Sequence, residues 1–275
     1  MAQKQSARTI VGEPLSPAVL ARLGAFEELP ETPPDFDPAG SWANKYLVFV
    51  CRGYVERGNE GVGVLRLERT PDETGSGFVL TVRQRMVMDP GHVHEIEVLA
   101  RCRADRLATP VTWRLLSRFL DPRGREISGL AGEERGELQD GKIAVTRGGS
   151  ERIRPLPGPV TSDWGLMEAV QRFAAGSGSP GAFAMLQSFT TLRAGQRIVA
   201  VREERVGEPI NGPLLRITQI GRGTLPYDYW LFPRERRLAI LTTGPRAYIL
   251  NDQADEVVNR RLAAIRARAR GRDDG

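Results

Sequence analysis

The stretch FVLTVRQRMVMDPGHVHEIEVLARC, Phe78 to Cys102, decides the fold. On both sides of Asp89-Pro90-Gly91 apolar and polar residues alternate at period two, the mark of half-buried strands joined by a tight loop. Folding the stretch at that loop sets Met88 opposite His92. The register outward then pairs Met86 with His94, Gln84 with Ile96, Val82 with Val98 and Leu80 with Ala100. The other face pairs Arg85 with Glu95 and Arg83 with Glu97. A slip of one residue would spoil both the apolar face and the opposite-charge pairs, so this register is well specified.

Working outward, the alternation runs from Tyr46 to about Leu120 and predicts strands near 46–57, 61–69, 77–88, 92–103 and 111–120. Their connections, GNEG, PDETGSG, DPG and RADRLATP, are mostly short enough for hairpins, giving an antiparallel meander. The strand at 111–120 puts Trp113, Leu115 and Phe119 on one side and Arg114 and Arg118 on the other. An apolar sheet face needs a cover. SDWGLMEAVQRFAAG, 162–176, supplies one: Ser162 or Asp163 caps a helix whose stripe is Trp164, Leu166, Met167, Val170 and Phe173. After GSGSPG, the segments FAMLQSFTTL, RIVAVREERV, PLLRITQIG, YDYWLFP, RRLAILTTG and RAYIL read as about six more strands. A short helix is predicted over 16–28 with Ser16 as N-cap and Pro17 at its first position, a Pro-rich linker over 29–40, and a terminal helix over 252–270. The expected organisation is an N-terminal helix and linker (1–44), one mainly β, antiparallel domain (45–250) with an inserted helix at 163–175, and an Arg-rich C-terminal helix and tail (251–275).

Composition bounds function only coarsely. The chain has 275 residues, 40% hydrophobic and 27% charged, which suits one large globular domain or two small ones. Its net charge of +5 rests on arginine, with lysine only at Lys4, Lys45 and Lys142. Arg260, Arg261, Arg266, Arg268, Arg270 and Arg272 crowd the tail without interleaved aromatics. A solvated helix with cations at its C-terminal end accounts for them without specific nucleic-acid binding. No run of about 18 apolar residues is present, so no transmembrane segment is expected. The first twenty residues lack an apolar core for export. The chain as written therefore reads as cytoplasmic, or as extracytoplasmic if an upstream signal was removed.

The histidines raise the one question of metal chemistry. His92 and His94, two apart on a strand, share a face. Catalytic zinc takes three protein ligands and structural zinc four. There is no third histidine; Glu95 and Glu97 point to the opposite face, and Cys102 lies five residue pairs along. The pair reads as a polar rim beside Met86 and Met88, with a metal site at His92 and His94 as the alternative. Cys51 and Cys102, on strands separated by two others, are expected to be free thiols. GNEGVG, 58–63, lies between strands and reads as a turn rather than a phosphate loop. No nucleophile–histidine–acid arrangement is marked, and no cofactor is expected.

One segment carries a family likeness. YDYWLFPRERRLAIL, within LLRITQIGRGTLPYDYWLFPRERRLAIL (Leu214 to Leu241), resembles the strand-turn-strand ending of LolA/LolB-like lipoprotein carriers and related uncharacterised bacterial β-proteins. An aromatic-Trp-Leu strand leads through a turn to an Arg-Leu strand, although Pro233-Arg234-Glu235-Arg236 lacks the Asp-Gly of those relatives. The resemblance implies a curved half-barrel with helices on its concave side, an extracytoplasmic setting and a cavity for acyl chains. It would make Leu80, Val82, Met86, Ile96, Val98, Trp113 and Leu115, with Trp164 and Met167 from the helix, an apolar lining. The expected function is non-enzymatic binding of a lipid or other hydrophobic ligand. The alternatives are a metal-dependent enzyme using His92 and His94, and a scaffold for a protein partner.

Overall fold

The computed structural model describes residues 14–51, 59–173 and 179–273. Strands β1 (Trp42–Val50), β2 (Glu60–Pro71), β3 (Gly77–Met88), β4 (His92–Arg103), β5 (Pro110–Leu120), β6 (Gly132–Gln139), β7 (Lys142–Arg147) and β8 (Ser150–Pro155) form one continuous meander. The chain then crosses to β9 (Val160–Ser162) at the far end of the same sheet and enters helix α2 (Asp163–Arg172). It returns through β10 (Phe183–Gln187), β11 (Thr191–Val206), β12 (Gly212–Ile220), β13 (Tyr227–Leu231), β14 (Leu238–Thr243) and β15 (Arg246–Leu250). Because β15 pairs with β1, with Tyr46 opposite Leu250, the two halves make one sheet whose free edges are β8 and β9. Five residue steps separate Pro155 from Val160, a reach of at most about 18 Å. The edges therefore end near each other and the sheet curls into a barrel that does not close. The hydroxyl of Thr109 donates to the Val160 carbonyl at 2.9 Å, docking β9 at the start of β5. Strands β6 to β8 extend past this contact and leave an open seam.

The protein is mainly β, and the 78–102 register is found pair for pair, from Met88 opposite His92 to Leu80 opposite Ala100. The outer-face ion pairs differ from expectation. Glu95 accepts from Arg118 at 2.6 Å, Arg83 reaches Glu68 at 3.2 Å, and Arg85 turns to Asp255 at 3.6 Å. A residue on a central strand has neighbours on both sides, and hairpin register alone does not choose between them. The sheet is antiparallel except where β9 pairs parallel with β10, a consequence of the crossover.

The concave side is filled. Helix α2, capped by Ser162 Oγ accepting from Gly165 N at 2.8 Å, buries Trp164, Leu166, Met167, Ala169 and Val170 against the sheet. The predicted residues 174 and 175 lie outside the described residues. The convex side is covered more than its charges suggest. Helix α1 (Pro17–Arg22) and the segment after it pack Val19, Leu20, Ala25 and Phe26 on β1 and β12 to β15. Helix α3 (Ala254–Asp273) lays Ala254 and Val258 on Leu47, Val64 and Val87, so the terminal helix is docked rather than solvated. Helix α1 stops at Arg22, not at 28, because Gly24 takes the left-handed conformation (φ 67°) that ends helices. Among the described residues no helix is long and apolar enough to cross a membrane.

Two further differences bear on function. FAMLQSFTTL is a hairpin, not one strand: Ser188 (φ 48°) and Phe189 (φ 57°) are the left-handed pair in the three-residue turn, Ser188 to Thr190, between β10 and β11. Left-handed positions favour Gly and Asn, and a bulky residue there is strained. The Phe189 ring repays the strain by filling the barrel between Trp113 and Trp164, with centroids 5.2 and 5.9 Å away. Trp113 in turn lies flat on Gly136, where any Cβ would come within 2.0 Å of the indole. The second difference is the presence of β6, β7 and β8, whose residues carried no strand prediction. The first predicted strand begins at Trp42, and its residues 52–57, like Gly58 of GNEGVG, lie outside the described residues.

Candidate functional site

The expected apolar lining is packed core. Leu80, Val82, Val98, Trp113, Leu115, Trp164 and Met167 belong to one buried cluster, with Met86 and Ile96 at its border. Helix α2 and Phe189 occupy the space that an acyl cavity would need. Trp164 and Met167 nonetheless also reach a second, half-open pocket described below. His92 and His94 lie opposite Met88 and Met86, as the register requires. The His94 ring stacks on Phe119 with centroids 4.1 Å apart, and its Nε2 lies 2.9 Å from Ser117 Oγ. Burial pushes the His94 pKa down, which disfavours the charged ring. Among the described residues no three His, Cys, Asp or Glu side chains come together to hold a metal. Cys51 and Cys102 are free thiols; burial, with Glu168 and Asp105 adding to it, pushes the Cys102 thiol up and leaves it unreactive.

The open seam forms a groove of about 560 Å³. One wall is the inner face of β7 and β8, the other is Leu186, Thr190, Thr191 and Leu192 of the β10–β11 hairpin. The wall has a definite order. Arg154 lies opposite Ile143, Arg152 opposite Val145, and Ser150 opposite Arg147. Alternation turns all six to the groove, so two arginine stems flank two aliphatic side chains. Arg147 is paired with the buried Glu134 at 3.1 Å, whereas among the described residues Arg152 and Arg154 form no ion pair. All six residues of β8 are exposed, and β8 pairs with β7 alone. These residues went unread in the sequence although two turn signals mark them. Asp140-Gly141 and Gly148-Gly149 are left-handed pairs with φ between 50° and 78°, the hairpin dipeptides that delimit β6, β7 and β8.

A second, half-open pocket of about 240 Å³ lies beneath the N-terminus of α2. Asp163 lies in its wall, with Gln84 from β3, Tyr227 from β13, and Arg246 and Tyr248 from β15. The Asp163 carboxylate accepts from Trp164 N at 3.1 Å and from Ser188 N at 3.0 Å, so it also holds the strained hairpin turn. Among the described residues it forms no ion pair. Burial pushes its pKa up to about 6, against the lowering by those hydrogen bonds. Tyr227, Tyr229 and Tyr248 are pushed up chiefly by burial, and the charge of Asp163 adds to each. Tyr229 is turned away from the pocket and donates to Gln219 at 3.1 Å.

Five residues along α2, Glu168 is fully buried and fully paired. Arg69 Nε meets its Oε1 at 2.8 Å, and Arg172 grips both oxygens at 2.7 and 2.9 Å. Arg69 also donates to the Gly40 carbonyl at 2.7 Å and to that of Ala39, and its guanidinium sits 4.5 Å over the Phe78 ring. Gln171, one turn on, accepts from Leu238 N at 3.0 Å. This cluster fixes α2 inside the barrel.

No family model matches the chain, and no curated protein matches it. Among solved structures it is similar to a β-barrel-like protein of a domain of unknown function, DUF1849, from Brucella abortus. The two share 15% identity at a TM-score of 0.50, over 77% of this chain and 96% of that one. A likeness at that identity is one of fold alone.

Proposed function

We propose that this β-barrel-like protein is a binding protein that takes an anionic amphiphile, an apolar chain ending in a carboxylate or phosphate, in the groove along its open seam. The observation that carries the reading is the pairing of Arg154 with Ile143 and Arg152 with Val145 on one groove wall. An apolar chain lies against the aliphatic residues and Leu186 and Leu192 of the facing wall, while the unpaired guanidiniums hold its charged end. A fold that leaves its barrel unclosed beside such a wall is in keeping with the acyl-chain binding implied by the carrier resemblance, moved from the concave interior to the seam.

The test is competition. Binding of 1-anilinonaphthalene-8-sulfonate is followed by fluorescence, and dodecanoate is expected to displace it while dodecyltrimethylammonium does not. Arg152→Glu with Arg154→Glu should weaken dodecanoate at least tenfold and leave the fold intact by circular dichroism. Equal displacement by the cationic surfactant, or an unchanged affinity in the double variant, would overturn the reading.

A second reading rests on the free edge of β8, which suits addition of a strand from a protein partner. Counting from the two-residue turn Gly148-Gly149, Ile153 falls where its N–H faces away from β7. Ile153→Pro should abolish strand addition yet spare amphiphile binding, which separates the two readings.

A further inference from the structure

Asp163 presents a physical anomaly that the groove does not use. A carboxylate enclosed by protein is normally neutralised by a cation, as Glu168 is, because an unpaired charge out of water is costly. Asp163 accepts from the backbone N–H groups of Trp164 and Ser188 and from the Ser188 side chain, forms no ion pair among the described residues, and lines a half-open pocket in which it is only partly exposed. That space of about 240 Å³ matches roughly eight waters at about 30 Å³ each, which suits a small organic molecule. Its walls add the rings of Tyr227, Tyr248 and Trp164 to the carboxylate. Aromatic faces carry negative potential and attract cations, most strongly when these are weakly hydrated and bulky. Gln84 supplies a neutral polar group, and Arg246 stands exposed at the rim with Nη1 3.5 Å from Tyr248 Oη. A single carboxylate among aromatic rings is a poor metal site, which wants several oxygen, nitrogen or sulfur ligands. It is a good one for an ammonium group bearing methyl or methylene substituents.

We infer that the pocket beneath α2 is a binding site for a small organic ammonium ion, with Asp163 as its counter-ion and Tyr227, Tyr248 and Trp164 as its aromatic walls.

The site lies across the Ser188–Phe189 turn from the seam groove and is independent of it. Because Asp163 must be ionised to act, binding strengthens as pH rises through its titration and releases a proton below it. The other titratable groups facing it, Tyr227 and Tyr248 with Tyr229 behind, stay neutral over that range, and the Arg246 side chain stands at the rim.

The experiment uses the full chain and three probes, read by calorimetry and by tryptophan fluorescence: choline, tetramethylammonium, and 3,3-dimethylbutan-1-ol as the uncharged isostere of choline. Choline and tetramethylammonium are expected to bind, and the alcohol to bind at least tenfold more weakly. Choline affinity should fall at least tenfold between pH 7.5 and 4.5. Asp163→Asn should abolish that pH dependence and cost tenfold at pH 7.5. Should Asp163→Asn fail to fold, Tyr248→Leu supplies the second variant, removing one aromatic wall at a loss of several-fold. A wild type that binds no probe, or that binds the alcohol as tightly as choline, overturns the inference. So does choline binding indifferent to pH.

Discussion

Helix α2 carries two carboxylates five residues apart, Glu168 fully buried and Asp163 partly exposed in a pocket, and they are held in different ways. Glu168 is clamped between Arg69 and Arg172, with every oxygen paired. Asp163 has backbone N–H groups and the Ser188 side chain but no arginine, faces a pocket, and has its pKa pushed up to about 6. The first arrangement spends its charge on position: it ties α2 to β2 and, through Arg172 donating to the Asp105 carbonyl at 2.7 Å, to the β4–β5 connection. The second leaves a charge unspent where a ligand can reach it. Charged groups that are buried and ion-paired build the fold, and those without an ion pair beside a pocket are candidates for function.

The comparison breaks first at Glu168. Glu168→Ala leaves Arg69, 3% exposed, buried without its partner. Removing one member of such a pair costs about 3–5 kcal/mol. Urea denaturation should show a loss of that size, and Glu168→Gln a smaller loss in the same direction. A change under about 1 kcal/mol would mean that the cluster does not anchor α2.

Asp163 should behave in the opposite sense. Its folded pKa of about 6 lies above the ordinary 3.8, so the folded state holds a proton that the unfolded state has already released. Below pH 3.8 both states are protonated and no penalty exists. Between 3.8 and 6 the penalty on the folded state grows, and above 6 it is full, on the order of 3 kcal/mol. The stability of Asp163→Asn relative to wild type should therefore rise across that window and be flat on either side. Asparagine replaces one acceptor with a donor facing the Ser188 N–H, which lowers the difference by a constant at all pH values. Parallel stability curves for the two proteins would show that the carboxylate titrates normally.

What the sequence makes legible follows from the same physics. The 78–102 register was readable because each strand has one buried face, and a one-residue slip would expose it. Ser162 was readable as a cap, and the stripe Trp164, Leu166, Met167 and Val170 as the buried side of α2. Strand β8 was not readable, since all six of its residues are exposed and leave no alternation to detect. Nor was the Ser188–Phe189 turn, because neither residue belongs to the usual turn set and the strain is offset by packing on Trp113 and Trp164. Both proposed sites were hidden for these reasons. The groove is made by the unreadable strand. The pocket joins Asp163 to tyrosines on strands far along the chain, and in the sequence Asp163 looks only like a helix cap.

The outer face gives the comparison its lower limit. Glu95 is also a partly covered carboxylate paired with an arginine, Arg118 Nε at 2.6 Å, yet the Arg118 side chain is 52% exposed. Water already solvates that guanidinium, and salt screens what attraction remains. Arg118→Ala is expected to cost less than about 1 kcal/mol, and the loss should shrink further in 0.5 M sodium chloride. Thermal melts at low and high salt measure both. The geometry at Glu95 is as short as that at Glu168, so a small loss here beside a large one there would assign the difference to burial rather than to distance. A loss of 3 kcal/mol at Arg118 would reverse that assignment, and ion-pair geometry would then count for more than solvent in this protein.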